Sequence, residues 1–140
     1  MVDIVIVGGG GRARVLISEM RKSGTYRVVG YTDRTNRNSI LGIPYLGTDA
    51  ILKQLRQKKK KCAAAIGVGA IDVPNARKRI MELLKTLRFD LPSIISKDAI
   101  VAKDVILGEA TVVFSGAVIN TGTRIGQCCI INTNSTVEHD

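Results

Sequence analysis

Residues 93–140 read SIISKDAIVAKDVILGEATVVFSGAVINTGTRIGQCCIINTNSTVEHD, and counting along them in sixes decides half of the fold. From Ile95, every sixth residue is a branched aliphatic: Ile95, Val101, Leu107, Val113, Ile119, Ile125, Ile131 and Val137. The fourth residue after each is small or medium: Ala99, Val105, Thr111, Ala117, Thr123, Cys129 and Ser135. A β-meander alternates with period two and would not hold this phase. A fixed period of six with one aliphatic and one small residue per unit predicts a hexapeptide solenoid, a parallel β-helix. Each unit supplies a short strand and a corner, three units close one triangular coil, and the aliphatics point inward. Cys129 falls in an inward small slot and Cys128 on the other face, while Asn132 and His139 stand outside the apolar slots. The sequence stops inside the eighth unit without a capping segment, and a solenoid's last coil needs cover. The 140 residues are therefore expected to be a piece of a longer chain, or to have that end covered by another subunit.

Working back toward the N-terminus, the texture changes. DIVIVGGGGRARVLISEM, residues 3–20, begins with a β-branched run, Ile4 to Val7, that reads as a buried strand. After four glycines, Ala13, Leu16, Ile17 and Met20 recur at helical spacing, and Gly24 closes the helix. Arg27 to Tyr31 reads as a second strand, running into TDR. A helix carrying Ile51, Leu52 and Leu55 follows an N-cap at Thr48. CAAAIGVG, residues 62–69, reads as a further strand, and Pro74 to Leu87 as an amphipathic helix. Strands alternating with helices predict a small parallel α/β sheet of Rossmann-like type over 1–92, followed by the solenoid over 93–140.

Gly8-x-Gly10-x-x-Ala13 fits the phosphate-binding fingerprint in the context it requires, after a strand and before a helix. Glycine permits the tight turn and lets a pyrophosphate approach the backbone, where the free N–H groups of the first helical turn face the anion. Asp33, at the end of the second strand, stands where an acid can bond a ribose or a base. Arg12 adds charge near the phosphates, and Arg14 reads as a solvated helix residue. The same residues also fit a nicotinamide dinucleotide, although about ninety residues are cramped for a six-stranded dinucleotide fold.

Charge follows the same division. Residues 1–94 carry 18 Lys/Arg against 7 Asp/Glu, and residues 95–140 carry 3 against 5, giving the overall +9. The lysines at 58–61 suit the C-terminal end of a helix dipole. Aromatics make up 4% with no Trp, and no nucleic-acid motif interleaves them with the basic residues. No apolar run is long enough to span a bilayer. Three cysteines, with no CxxC and no histidine at ligand spacing, argue against a disulfide framework or a metal site and for a reduced, cytoplasmic protein.

VGGGGRARVLIS, VVGYTDR, GIPYLGTDA, AAIGVG and SGAVINTGTRIGQCCIINTNSTVEHD, in that order, resemble the bacterial sugar acetyltransferases related to sialic acid O-acetyltransferase. The likeness is greatest to the branch that N-acetylates nucleotide-linked amino sugars in surface glycan biosynthesis. It implies a left-handed β-helix, a homotrimer with active sites between neighbouring solenoids, and acetyl-CoA lying along later coils. It implies His139 as general base and Asp140 as the acid that orients it. It puts Asn132 near the reacting amine, and Gly8, Gly9, Gly10, Gly11 and Asp33 around the nucleotide. Two stretches depart from the family. Arg12 stands where a histidine follows the glycines, and Ser96-Lys97 stands where His-Pro enters the solenoid.

The chemistry agrees with the likeness. Acyl transfer from a thioester to an amine needs no metal, only a base for the amine proton, and imidazole titrates near neutral pH. Sialic-acid-type O-acetylation is the nearest variant. Because the acyl donor's coils would follow Asp140, the 140 residues are expected to bind a nucleotide sugar and to show little acetyl transfer.

Overall fold

The computed structural model describes residues 1–69 and 75–140. The chain divides into two compact units, Met1–Leu91 and Pro92–Asp140.

The first unit is built on a four-stranded, all-parallel sheet. Its elements are β1 (Val2–Val7), α1 (Gly11–Ser23), β2 (Tyr26–Thr32), β3 (Tyr45–Gly47), a 3-10 turn at Asp49–Ile51, α2 (Leu52–Lys58), β4 (Ala63–Ile66) and α3 (Ala76–Thr86). Strand order is β3-β2-β1-β4. Ile4 to Val7 and Ala63 to Ile66 are buried along their whole length, as continuous apolar runs must be when both faces of a parallel sheet are covered. Ala13, Leu16, Ile17 and Met20 form the buried stripe of α1. Gly24 ends that helix at φ +67, its N–H returning to the carbonyl of Met20. Sequence periodicity passes over β3, a strand of three residues behind Pro44. It is held because Gly30 of β2 leaves the space that the Leu46 side chain fills. Thr48 precedes the 3-10 turn in extended conformation, but its side chain makes no capping bond. Lys59 does more than sit at a helix end: its ammonium lies 3.0 Å from Asp3, which also pairs with Arg27. α3 is described from Ala76 onward; the expected start at Pro74 lies outside the described residues.

The second unit is a parallel β-helix of left-handed hexapeptide type. Eight two-residue strands follow one another every six residues: β5 (Ile94–Ile95), β6 (Ile100–Val101), β7 (Ile106–Leu107), β8 (Val112–Val113), β9 (Val118–Ile119), β10 (Arg124–Ile125), β11 (Ile130–Ile131) and β12 (Thr136–Val137). They stack as β5-β8-β11, β6-β9-β12 and β7-β10, always parallel. Ile94 pairs with Val112 and Val112 with Ile130, so one coil takes eighteen residues. Val113, Ala117 and Ile119 form the centre, with Ala99, Val101, Val105, Leu107, Ile131 and Val137 packed on them. Ile95 departs from the expected inward burial and is 42% exposed. It lies on the first rung, where β8 stacks on one side and no strand of this unit on the other. Cys129 is half-buried rather than a full core residue.

The corners have their own periodicity. Backbone φ is positive at Ala110, Gly116, Gly122, Cys128, Asn134 and Asp140, every sixth residue. Glycine, asparagine and aspartate suit that left-handed conformation; Ala110 and Cys128 adopt it against their intrinsic preference.

Candidate functional site

In the first unit, β1 delivers the chain into Gly8, whose φ of +108 requires glycine and whose N–H bonds the carbonyl of Thr32. A Cβ on Gly9 would run into the Tyr31 ring and the Asp33 carboxylate, whereas a Cβ on Gly10 or Gly11 would meet nothing within 4 Å. The first two glycines are thus required by the protein's own packing. The last two border open space. α1 begins there with Gly10 as N-cap, with no side-chain cap and no acid in its first turn. Its first-turn N–H groups, which have no intrahelical partner, are open to an anion.

That space is a cleft of about 680 Å³ lined by Gly8 to Arg12, Asp33, the Gly67–Gly69 turn after β4, and one face of α3. Among the described residues, four arginines line it: Arg12, Arg34, Arg37 and Arg79. Sequence reasoning identified Arg12 alone. Arg34 and Arg37 follow Asp33 directly in DRTNR, a signal within reach. Arg79 was findable only from the spacing of Ala76, Arg79, Ile80 and Leu83, which brings one helical face to the cleft. Arg77, nearly buried, braces the wall from behind by donating to the carbonyls of Ile66 and Val68 at 3.3 and 2.7 Å.

Asp33 is engaged by the protein. One carboxylate oxygen accepts the Gly9 N–H at 2.8 Å and Arg37 Nε at 3.1 Å, and the other accepts the Thr35 N–H at 3.1 Å. Burial alone would push its carboxyl up, but the Thr35 and Gly9 amides and the Arg37 charge together hold it below the ordinary carboxylate range. Asp33 thereby ties the glycine loop to the loop after β2, which is clamped further by Tyr31 Oη donating to the Asn38 carbonyl at 2.6 Å.

In the second unit, His139 and Asp140 lie past β12 on the last rung. His139 Nδ1 is 3.1 Å from Asp140 Oδ2, and both side chains are largely exposed. Asn132 is exposed at the corner after β11, where its carbonyl accepts the Ser135 N–H. An imidazole with one nitrogen against a carboxylate leaves the other to take a proton, the arrangement of a base and its orienter. Among the described residues, no group of three or more His, Cys, Asp or Glu could hold a metal ion, and no helix is long and apolar enough to cross a membrane.

The family model of the PglD N-terminal domain matches residues 3–84. No curated protein matches the chain. Among solved structures, the acetyltransferase domain of PglB from Neisseria gonorrhoeae is 29% identical with a TM-score of 0.89, over 100% of this chain and 66% of that one. The same domain in complex with acetyl coenzyme A gives a TM-score of 0.86 at 29% identity, over 99% of this chain and 65% of that one. PerB from Caulobacter crescentus, in complex with CoA and GDP-perosamine, is 32% identical with a TM-score of 0.86, over 99% of this chain and 63% of that one. The chain thus spans just under two thirds of the length of each.

Proposed function

From a chain that belongs to the PglD N-terminal domain family, we propose an acetyl-CoA-dependent acetyltransferase that N-acetylates a nucleotide-linked amino sugar. The observation that carries the reading is the His139–Asp140 pair on a hexapeptide solenoid, in a chain similar throughout to a protein solved with CoA and GDP-perosamine. The Gly8–Gly11 turn, the start of α1 and the arginines around them receive the diphosphate, and Asp33 keeps the turn in shape for it. Asn132 stands near the amine. His139 takes the amine proton as nitrogen attacks the thioester carbonyl; the C–N bond forms, the C–S bond breaks, and the CoA thiol leaves with a proton. Asp140 orients the imidazole and stabilises its charged form. Base catalysis of this kind contributes about 10²–10⁴-fold. The reading carries a homotrimer with it, and a cytoplasmic setting that suits three free thiols.

Transfer to a sugar hydroxyl would use the same groups, and the choice of acceptor separates the two. Nicotinamide binding is disfavoured because the Asp33 oxygens that would take a ribose already hold Gly9, Thr35 and Arg37. The test has two arms. Calorimetry of the chain with UDP-, dTDP- and GDP-linked amino sugars is expected to show saturable binding to at least one, tighter than NADH. Thiol release from acetyl-CoA is expected with that same sugar from a protein of the relatives' full length that carries this chain, falling at least a hundredfold in His139→Ala. Tighter binding of NADH, or turnover indifferent to His139, sinks the reading.

A further inference from the structure

His139 is 71% exposed, yet the residues on either side of it are fastened to the coil beneath. On one side, the Glu138 carboxylate accepts Asn120 Nδ2 at 3.2 Å, and the Glu138 carbonyl accepts Thr123 Oγ1 at 3.0 Å. On the other, Asp140 N–H donates to the carbonyl of Thr121 at 3.2 Å. The Asp140 carboxylate lies directly over Gly122, where a Cβ would overlap Oδ1. Gly122 also has φ +77. Its N–H and the Thr121 hydroxyl both donate to one oxygen of Asp104, a further coil below, at 2.9 and 2.8 Å. The result is a vertical series of contacts through three coils that ends at the imidazole: Asp104, Thr121–Gly122, Asp140, His139.

The solenoid contains a matched comparison. At the preceding corner, Gly116 has φ +74, Asn134 lies over it in the same way, and Asn134 N–H donates to Ser115. There, however, the Gly116 N–H bonds only a backbone carbonyl, that of Asp98, and no histidine adjoins Asn134. The two corners share the residue packed over glycine and differ in what holds the glycine from below and in the histidine beside the upper residue.

We propose that Gly122, pinned from below by Asp104, is a positioning residue for the proposed base: it seats the Asp140 carboxylate against His139 Nδ1, so that the imidazole carries its proton on Nδ1 and keeps Nε2 open. This rests on the reading of His139 as base, but its test does not need turnover. Free neutral imidazole side chains favour the Nε2–H form, so the seat has to reverse that preference. His139 is the only histidine in the 140 residues, so its ring nitrogens give one unambiguous set of signals.

The experiment is two-bond proton–nitrogen correlation NMR of the uniformly labelled chain above the imidazole titration. The wild type is expected to show mainly the Nδ1–H tautomer. Gly122→Ala displaces the carboxylate and is expected to reverse the population to mainly Nε2–H. Gly116→Ala, an equal change of packing one corner away, is expected to leave it as in the wild type. Gly122→Asn carries the same Cβ on a residue that accepts the left-handed backbone, as Asn134 does, so loss of the corner cannot mask the result. A wild type that is already Nε2–H overturns the inference. So do Gly122 variants that stay Nδ1–H, or a Gly116→Ala shift as large as that of Gly122→Ala. The expected tautomers together with acetyl transfer indifferent to His139 would instead overturn the function and leave the seat intact.

Discussion

At the scale of single residues, the glycine loop separates two demands that its sequence runs together. Gly9 faces the Tyr31 ring and Asp33, so Gly9→Ala overpacks the loop and is expected to cost about 1–3 kcal/mol of stability. Gly10→Ala meets no protein atom and is expected to leave stability nearly unchanged while weakening nucleotide-sugar binding. All three tyrosines, Tyr26, Tyr31 and Tyr45, belong to the first unit and there is no Trp, so tyrosine fluorescence in urea reports that unit directly. Calorimetry supplies the other half of the comparison. Asp33 adds a pH signature. Its carboxyl is held below the ordinary range, so its stabilisation is complete above the unfolded value of about 3.9 and is lost as pH falls through the lower folded value. The urea midpoint of the first unit is expected to fall in acid, and Asp33→Asn to show a lower midpoint at neutral pH with a shallower acid decline. An unchanged acid decline in Asp33→Asn would count against this account.

At the scale of elements, the two units were legible to different depths for a physical reason. A solenoid repeats one solution, so eight units of weak evidence add up, and the inward positions from Val101 to Val137 could be read by counting. Ile119, 1% exposed at the centre, is expected to lose about 2–5 kcal/mol on change to Ala, and outward Ile106, 54% exposed, to shift by less than about 0.5 kcal/mol on change to Thr. Amide hydrogen exchange of the solenoid strands distinguishes them. The corners were less legible: Gly116, Gly122, Asn134 and Asp140 suit a positive φ, but nothing in an alanine or a cysteine announces that Ala110 and Cys128 share it. In the first unit each element occurs once, and only strong local patterns are readable. β3 escaped because three residues are too few to show a period. Arg79 escaped because its relation to the cleft is made by tertiary packing of α3 and not by any motif.

At the scale of the whole molecule, the two units rest on different kinds of specification. The first depends on distinct side chains meeting once, as Leu46 meets Gly30 or Arg77 meets the Ile66 and Val68 carbonyls. The second depends on count. One coil is eighteen residues, so the place of His139 on the solenoid follows from how many residues precede it as much as from its neighbours. Insertion of a second copy of residues 94–111 ahead of Ile94, one full coil, is expected to return every later side chain to its former face, to keep the β-sheet circular dichroism signal and to leave the contacts from Asp104 to Asp140 in place. It would also carry His139 one strand spacing further along the solenoid, about 4.8 Å. A general base works at about 2.6–3.2 Å from its proton, so the same insertion in a protein of the relatives' full length is expected to abolish acetyl transfer. Removal of six residues would carry His139 onto an adjoining face instead. The repeat is thus a ruler with two scales, one that marks direction and one that marks height. Point substitutions leave both readings intact, while insertions and deletions keep the solenoid's phase only in multiples of eighteen and move the histidine wherever they precede it.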